Sequence, residues 1–84
     1  MYALDQPSAR PARRRPIPRR ELVTLLAYLE AGSHKAAAHR LGISESTSRH
    51  RVSQLIARVG ARNAAQATWR LAPELDRERR DVAL

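Results

Sequence analysis

Large apolar side chains are scarce before residue 18 and periodic after it. Leu22, Leu25, Leu26 and Leu29 recur at i, i+3, i+4 and i+7, which is the stripe of an amphipathic helix. Pro18 suits the first turn of that helix, where its missing N–H would have no partner in any case. Gly32 ends the helix and Ser33 can cap the next one. The second helix is short, from about His34 to Leu41, with Ala37, Ala38 and Leu41 facing inward. Gly42 then stops it, Ile43 fills the turn, and Ser44 caps a third helix.

The third helix carries two unlike faces. At about 100° per residue, positions 48, 52, 55, 56 and 59 share one side, and four of them are Val52, Leu55, Ile56 and Val59. Ser46, His50, Ser53, Gln54 and Ala57 point the other way, with Thr47, Arg49, Arg51 and Arg58 along the seams. The hydroxyls of Ser46 and Thr47 sit in the first turn, where free N–H groups and the helix dipole favour a phosphate. One face is built to hold a core and the other to meet an anion.

Gly60 closes the third helix. Asn63 with Gln66 three residues on has the form of a capping box for a fourth helix. That helix carries Ala67, Trp69 and Leu71 over about residues 64–72 and is expected to stop before Pro73. The charged tail, residues 73–84, reads as a frayed helix or a loose segment. Trp69 is most simply a core or interface filler. The fold class expected is all-α: a four-helix domain over residues 18–72 with an arm before it.

Composition sharpens the reading. The first 17 residues are rich in proline and arginine and too poor in apolar surface to offset ordering entropy, so they read as a flexible basic arm. Such an arm is either a solvated leader or a segment that lies along phosphates or reaches a minor groove. The whole chain of 84 residues has room for one small domain. It has no cysteine, so apolar packing must carry its stability. Sixteen basic residues, all arginine except Lys35, face eight acidic ones, and a sequence pI near 11.6 points to a polyanionic partner, nucleic acid before membrane.

Other classes recede. No apolar run approaches the roughly 18 residues a transmembrane helix needs. "RRELVTLLAYL" faintly resembles a twin-arginine export signal, but polar residues interrupt it and no small-residue cleavage site follows, so a cytoplasmic location is expected. Three histidines without acidic neighbours at ligand spacing give no metal site. His34 and His39 read as surface residues of the second helix, His34 near the end expected to approach a backbone. No acid/base pair, nucleophile constellation or phosphate-binding glycine loop suggests an enzyme, and no cofactor is implied.

A short helix, a glycine turn and a longer basic-faced helix form the helix-turn-helix arrangement. The stretch "AAAHRLGISESTSRHRVSQLIARVGARNAAQA" resembles the LuxR/GerE-type DNA-binding domain. The matching features are A-x-x-L-G-I-S-x-x-T, a third helix ending in a hydrophobic residue plus Gly, and R-N-x-x-Q-A opening the last helix. The similarity runs from about Pro18 to Leu71 and is strongest over residues 37–67. It implies a four-helix domain whose third helix reads DNA and whose fourth helix pairs two copies. By position it makes Thr47 a phosphate contact, places Arg49, His50 and Ser53 at base edges, and puts Arg51 and Arg58 near the backbone. Ser46, Gln54 and Lys35 complete the candidate set. Three departures stand out: the turn "AGSHK" is one residue short, Ser53 replaces a long basic residue found in some relatives, and Ser48 occupies a place normally filled by a buried Val. The Ser48 hydroxyl therefore needs a partner, for which the carbonyl four residues back is within reach.

The expectation is thus a transcriptional regulator that binds double-stranded DNA, as a homodimer formed alone or on DNA. Without a receiver or ligand-binding domain, control is expected from expression level, a partner or dimerisation. Two alternatives use the same fold: an RNA polymerase-contacting module, since sigma factors contain a similar L-G-I-S-x-x-T domain, and a protein-binding adaptor. The R-N-A-A-Q-A opening favours the LuxR-type branch over the first, and Thr47, Arg49 and Arg51 argue against the second.

Overall fold

A computed structural model describes residues 16–83, and among them the chain is all-helical. Five helices follow in order: α1 Arg19–Ala31, α2 His34–Leu41, α3 Glu45–Arg58, α4 Ala64–Arg70 and α5 Ala72–Ala83. The first four fall where the pattern places them. The arm expected over residues 1–17 lies outside the described residues apart from its last two positions, and of these Ile17 packs against the core.

Caps set the boundaries. Pro18 precedes α1 in an extended conformation, and its carbonyl accepts the N–H groups of Glu21 and Leu22. Ser33 Oγ accepts from Ala36 N–H at 3.0 Å, and Ser44 Oγ accepts from Thr47 N–H at 3.0 Å. Asn63 Oδ1 accepts from Gln66 N–H at 2.8 Å, while the Gln66 side chain reaches past Asn63 to accept the N–H of Arg62. Each bond satisfies a donor that the helix itself leaves free. Gly42 sits in the left-handed region at φ 70°, where it returns the chain sharply enough to bring α3 back across α2.

α4 ends at Arg70, before Pro73 as expected, and the tail, read as a frayed helix or a loose segment, forms a fifth helix over Ala72–Ala83. Proline lacks an N–H and is harmless in a first turn, so at the second position of α5 Pro73 opens a helix instead of closing one. Leu71, Leu75 and Glu78 share a stripe and are all buried. The third member of the stripe is a carboxylate, which weakens its apolar signal in the sequence. Arg19 offsets the burial of that charge, donating Nε and Nη2 to the Glu78 carboxylate at 2.8–3.2 Å and so tying α5 to the start of α1.

The core comprises Leu22 and Leu25 of α1, Val52 and Leu55 of α3, Ala67 of α4, and Leu71 and Leu75. α1 is central and packs against α2, α3 and α5, while α4 rests on α3. Ala37 and Ala38 are buried and let α2 approach closely. The predicted stripe of α1 is rotated: Glu21, Thr24 and Ala27 are buried, whereas Leu29 at its far end is 40% exposed. With so few large apolar side chains, one Leu55→Ala change would remove about 2–5 kcal/mol, a large share of what such a domain has.

Candidate nucleic-acid interface

The inner face of α3 is fixed by Ser48, Val52 and Leu55, all buried, so its outer face is held in one orientation. Ser46, His50, Ser53 and Gln54 are exposed on it, as is Arg49 on its flank, while Thr47 and Arg51 are half-buried. Lys35 is exposed on α2. A groove runs between the first turn of α1 and this face, lined by Arg20, Glu21, Ser46, Thr47, His50, Arg51 and Gln54. Five of the candidate residues thus share one surface. The contribution of Arg20 was not foreseen, because the apolar stripe of α1 says nothing of where its polar first turn will face.

The arginines of this region fall into different states. Arg58, expected near a DNA backbone, is turned inward. Its Nε and Nη2 each donate at 2.9 Å to a different oxygen of Glu21, a carboxylate of only 2% exposure. A buried carboxylate without a partner is costly, and the two-pronged guanidinium supplies one. The bond to Glu21 holds the Arg58 guanidinium still more firmly protonated than usual, although partial burial opposes it. Arg58 therefore belongs to the frame of the domain and is withdrawn from the candidate contacts.

Arg49 and Arg51 lie on opposite flanks of α3. Arg49 donates to Glu45, one turn earlier, at 2.5 Å, and both side chains are largely exposed, so the pair is weak and open to exchange. Arg51 has no carboxylate partner among the described residues, nor has Arg20. At the tip of the groove, Ser44 Oγ donates to Thr47 Oγ1 at 2.8 Å.

His34 is not a plain surface residue. It is half-buried at the start of α2, stacked on Tyr28 of α1 with ring centroids 4.3 Å apart and planes 18° from parallel. Its Nδ1 lies 2.9 Å from Ser48 Oγ. That contact answers the question the buried hydroxyl posed: its partner is an imidazole from the neighbouring helix, not the carbonyl four residues back. His39 is exposed as expected. Among the described residues no group of His, Asp or Glu side chains is arranged to hold a metal ion, and no helix is long and apolar enough to cross a membrane.

Trp69 is 83% exposed, so it fills no core within one chain. Beside it on α4, Thr68 joins Leu26, Leu29, Ala72 and Leu75 in an open, mainly apolar groove edged by Glu30, Asp76 and Arg79.

Comparison of the chain with protein-family models, with curated proteins and with solved structures finds no match.

Proposed function

We propose that this chain is a sequence-specific double-stranded DNA-binding regulator of transcription that inserts α3 into the major groove. The reading is carried by one observation: the two faces of α3 are divided between core and solvent. Val52 and Leu55 lock the inner face, while the outer face presents Ser46, His50, Ser53 and Gln54 between the unpaired Arg51 and the weakly paired Arg49. Exposed hydrogen-bonding side chains on a rigid helix suit base edges, and cations beside them suit the flanking phosphates. The formal net charge of +8 supports a polyanionic partner. The sequence resemblance to LuxR/GerE-type domains points the same way, and α5 is an addition to the four helices it implies.

Under this reading Thr47 and Arg51 hold phosphates, and His50, Ser53, Gln54 and Arg49 face base edges. A second copy of the chain is the proposed protein partner, with exposed Trp69 at or beside the contact. Two-fold pairing favours a pseudo-palindromic site. The test is selection of duplexes from a random or genomic pool by the purified full chain, followed by binding at several salt concentrations. Enrichment of one motif with a steep salt dependence is expected. Equal affinity for every duplex would remove sequence reading, and no binding at low salt would remove DNA altogether.

A further inference from the structure

Resting on that DNA reading, we propose that Arg20 of α1 and Arg51 of α3 form a two-helix clamp for a single DNA phosphate. Four arginines converge where the start of α1 meets α3, and acids sort them into two kinds. Arg19 is bonded by Glu78 and Arg58 by Glu21, both carboxylates being buried. Arg20 and Arg51 have no carboxylate partner among the described residues. Each of these two lines the groove shared with Thr47 and also the adjoining one that contains Val23, Leu41 and Glu78. Their side chains thus stand between the two grooves, one from each helix.

Two cations that line the same pair of grooves repel each other in isolation and attract a shared anion between them. Each guanidinium presents a planar set of donors matched to phosphate oxygens. Thr47 lines the same groove, and its hydroxyl can supply a third bond to the phosphate. Glu21 also lines this groove, but each of its oxygens receives a bond from Arg58, so its charge is already matched.

The backbone under Arg20 is immobilised on both sides. Its neighbours in sequence, Arg19 and Glu21, are the residues tied to α5 and α3 by bidentate ion pairs. The carbonyl of Arg20 accepts the Thr24 hydroxyl at 2.6 Å. The base of the side chain is thereby fixed while its head remains exposed. A clamp built in this way loses little backbone freedom on binding. It sets the approach of α1 to one strand and hence the depth of α3 in the groove.

The experiment uses the full chain and the duplex it selects, with Arg20→Gln, Arg51→Gln, the double variant, and Arg77→Gln on the outer face of α5 as a control for general charge. Thermal melts confirm that each variant folds. Each single clamp variant is expected to weaken binding roughly tenfold on selected and random duplexes alike and to lower the salt slope by about one. The second substitution should add little to the first, because one phosphate is shared. Replacing phosphates one at a time by neutral methylphosphonate should reveal one position per half-site at which the unaltered chain loses affinity and Arg20→Gln loses no more. Full binding by Arg20→Gln with an unchanged slope, a loss no larger than that of Arg77→Gln, or two fully additive losses would overturn the clamp while leaving the DNA reading in place. Failure of the unaltered chain to bind any duplex would overturn both.

Discussion

Nδ1 of His34 and Oγ of Ser48 lie 2.9 Å apart where α2 packs against α3. Ser48 is fully buried, so its hydroxyl has no access to water and depends on this bond. Ser48→Ala is expected to destabilise the domain by about 1–3 kcal/mol, the cost of a buried group left without its partner. In a domain of this size each kcal/mol lowers Tm by roughly 4–8 °C. Ser48→Val, which restores the apolar residue usual in the resembled family, is also expected to melt lower than the unaltered chain. A rise in Tm for Ser48→Val would mean that the hydroxyl is only a packing defect.

The same contact makes stability depend on pH. Burial pushes the His34 imidazole below its ordinary pKa, the positive charge of Arg49 pushes the same way, and Glu45 opposes them. The unfolded chain therefore takes up this proton at higher pH than the folded one. The contribution of neutral His34 is complete above the unfolded value of about 6.5 and is lost as pH falls through the lower folded value. Asp76 does not confuse the window: bonds to Arg79 and the charge of Arg80 hold its carboxyl below the usual range, so its own contribution fades only in stronger acid. Urea midpoints measured between about pH 7.5 and pH 5 should fall for the unaltered chain and fall less for His34→Gln. Parallel curves for the two proteins would remove His34 as the source.

Legibility in the sequence followed the physics of each feature. The first four helices were readable because leucine periodicity and the caps Ser33, Ser44 and Asn63 are local properties. The outer face of α3 was readable for the same reason, since its residues need only one helix to be placed. The role of Arg58 was not, because Glu21 is 37 positions away and nothing local joins them. His34 and Arg20 escaped similarly: each acts through a partner or groove that exists only once α1 and α3 are packed. For the charged tail the sequence left a frayed helix and a loose segment open, because the inward stripe of α5 contains a carboxylate that becomes intelligible only through Arg19.

Arg58 and Arg51 should consequently behave in opposite ways. Arg58→Ala strips Glu21 of its partner inside the protein, and the domain should unfold at markedly lower urea, with weaker DNA binding following from lost fold alone. Arg58→Ala combined with Glu21→Leu should recover much of that stability, because the buried charge is gone. Arg51→Ala should leave the urea midpoint nearly unchanged and reduce affinity for duplex DNA. If Arg58→Ala proves as stable as the unaltered chain yet binds DNA poorly, its guanidinium must leave Glu21 for the backbone.

Trp69, on the last turn of α4, and Leu71, which caps that helix, sit two positions apart, and the structure divides them completely: Trp69 is 83% exposed and Leu71 fully buried. Leu71→Ala should cost about 2–5 kcal/mol, since it opens the junction of α1, α4 and α5. Trp69→Ala should leave the thermal stability of the single chain almost unaltered. An indole holds up to about 150–250 Å² of surface to bury, so its free-energy value is realised only against something outside this chain. The apolar groove along Leu26, Leu29 and Leu75 lies on the same side as Thr68, and its rim carries acids and an arginine together, which suits contact with an identical surface. As the chain has one tryptophan, indole fluorescence reports the surroundings of Trp69 alone. Emission should be that of a water-exposed indole in dilute protein and should shift to shorter wavelength as protein concentration rises or as a two-half-site duplex is added. Trp69→Ala should reduce the cooperativity of binding to that duplex more than the affinity for a single half-site. A single protein copy on the full site at saturation, by mass measurement of the complex, would show that Trp69 serves a partner other than a second chain.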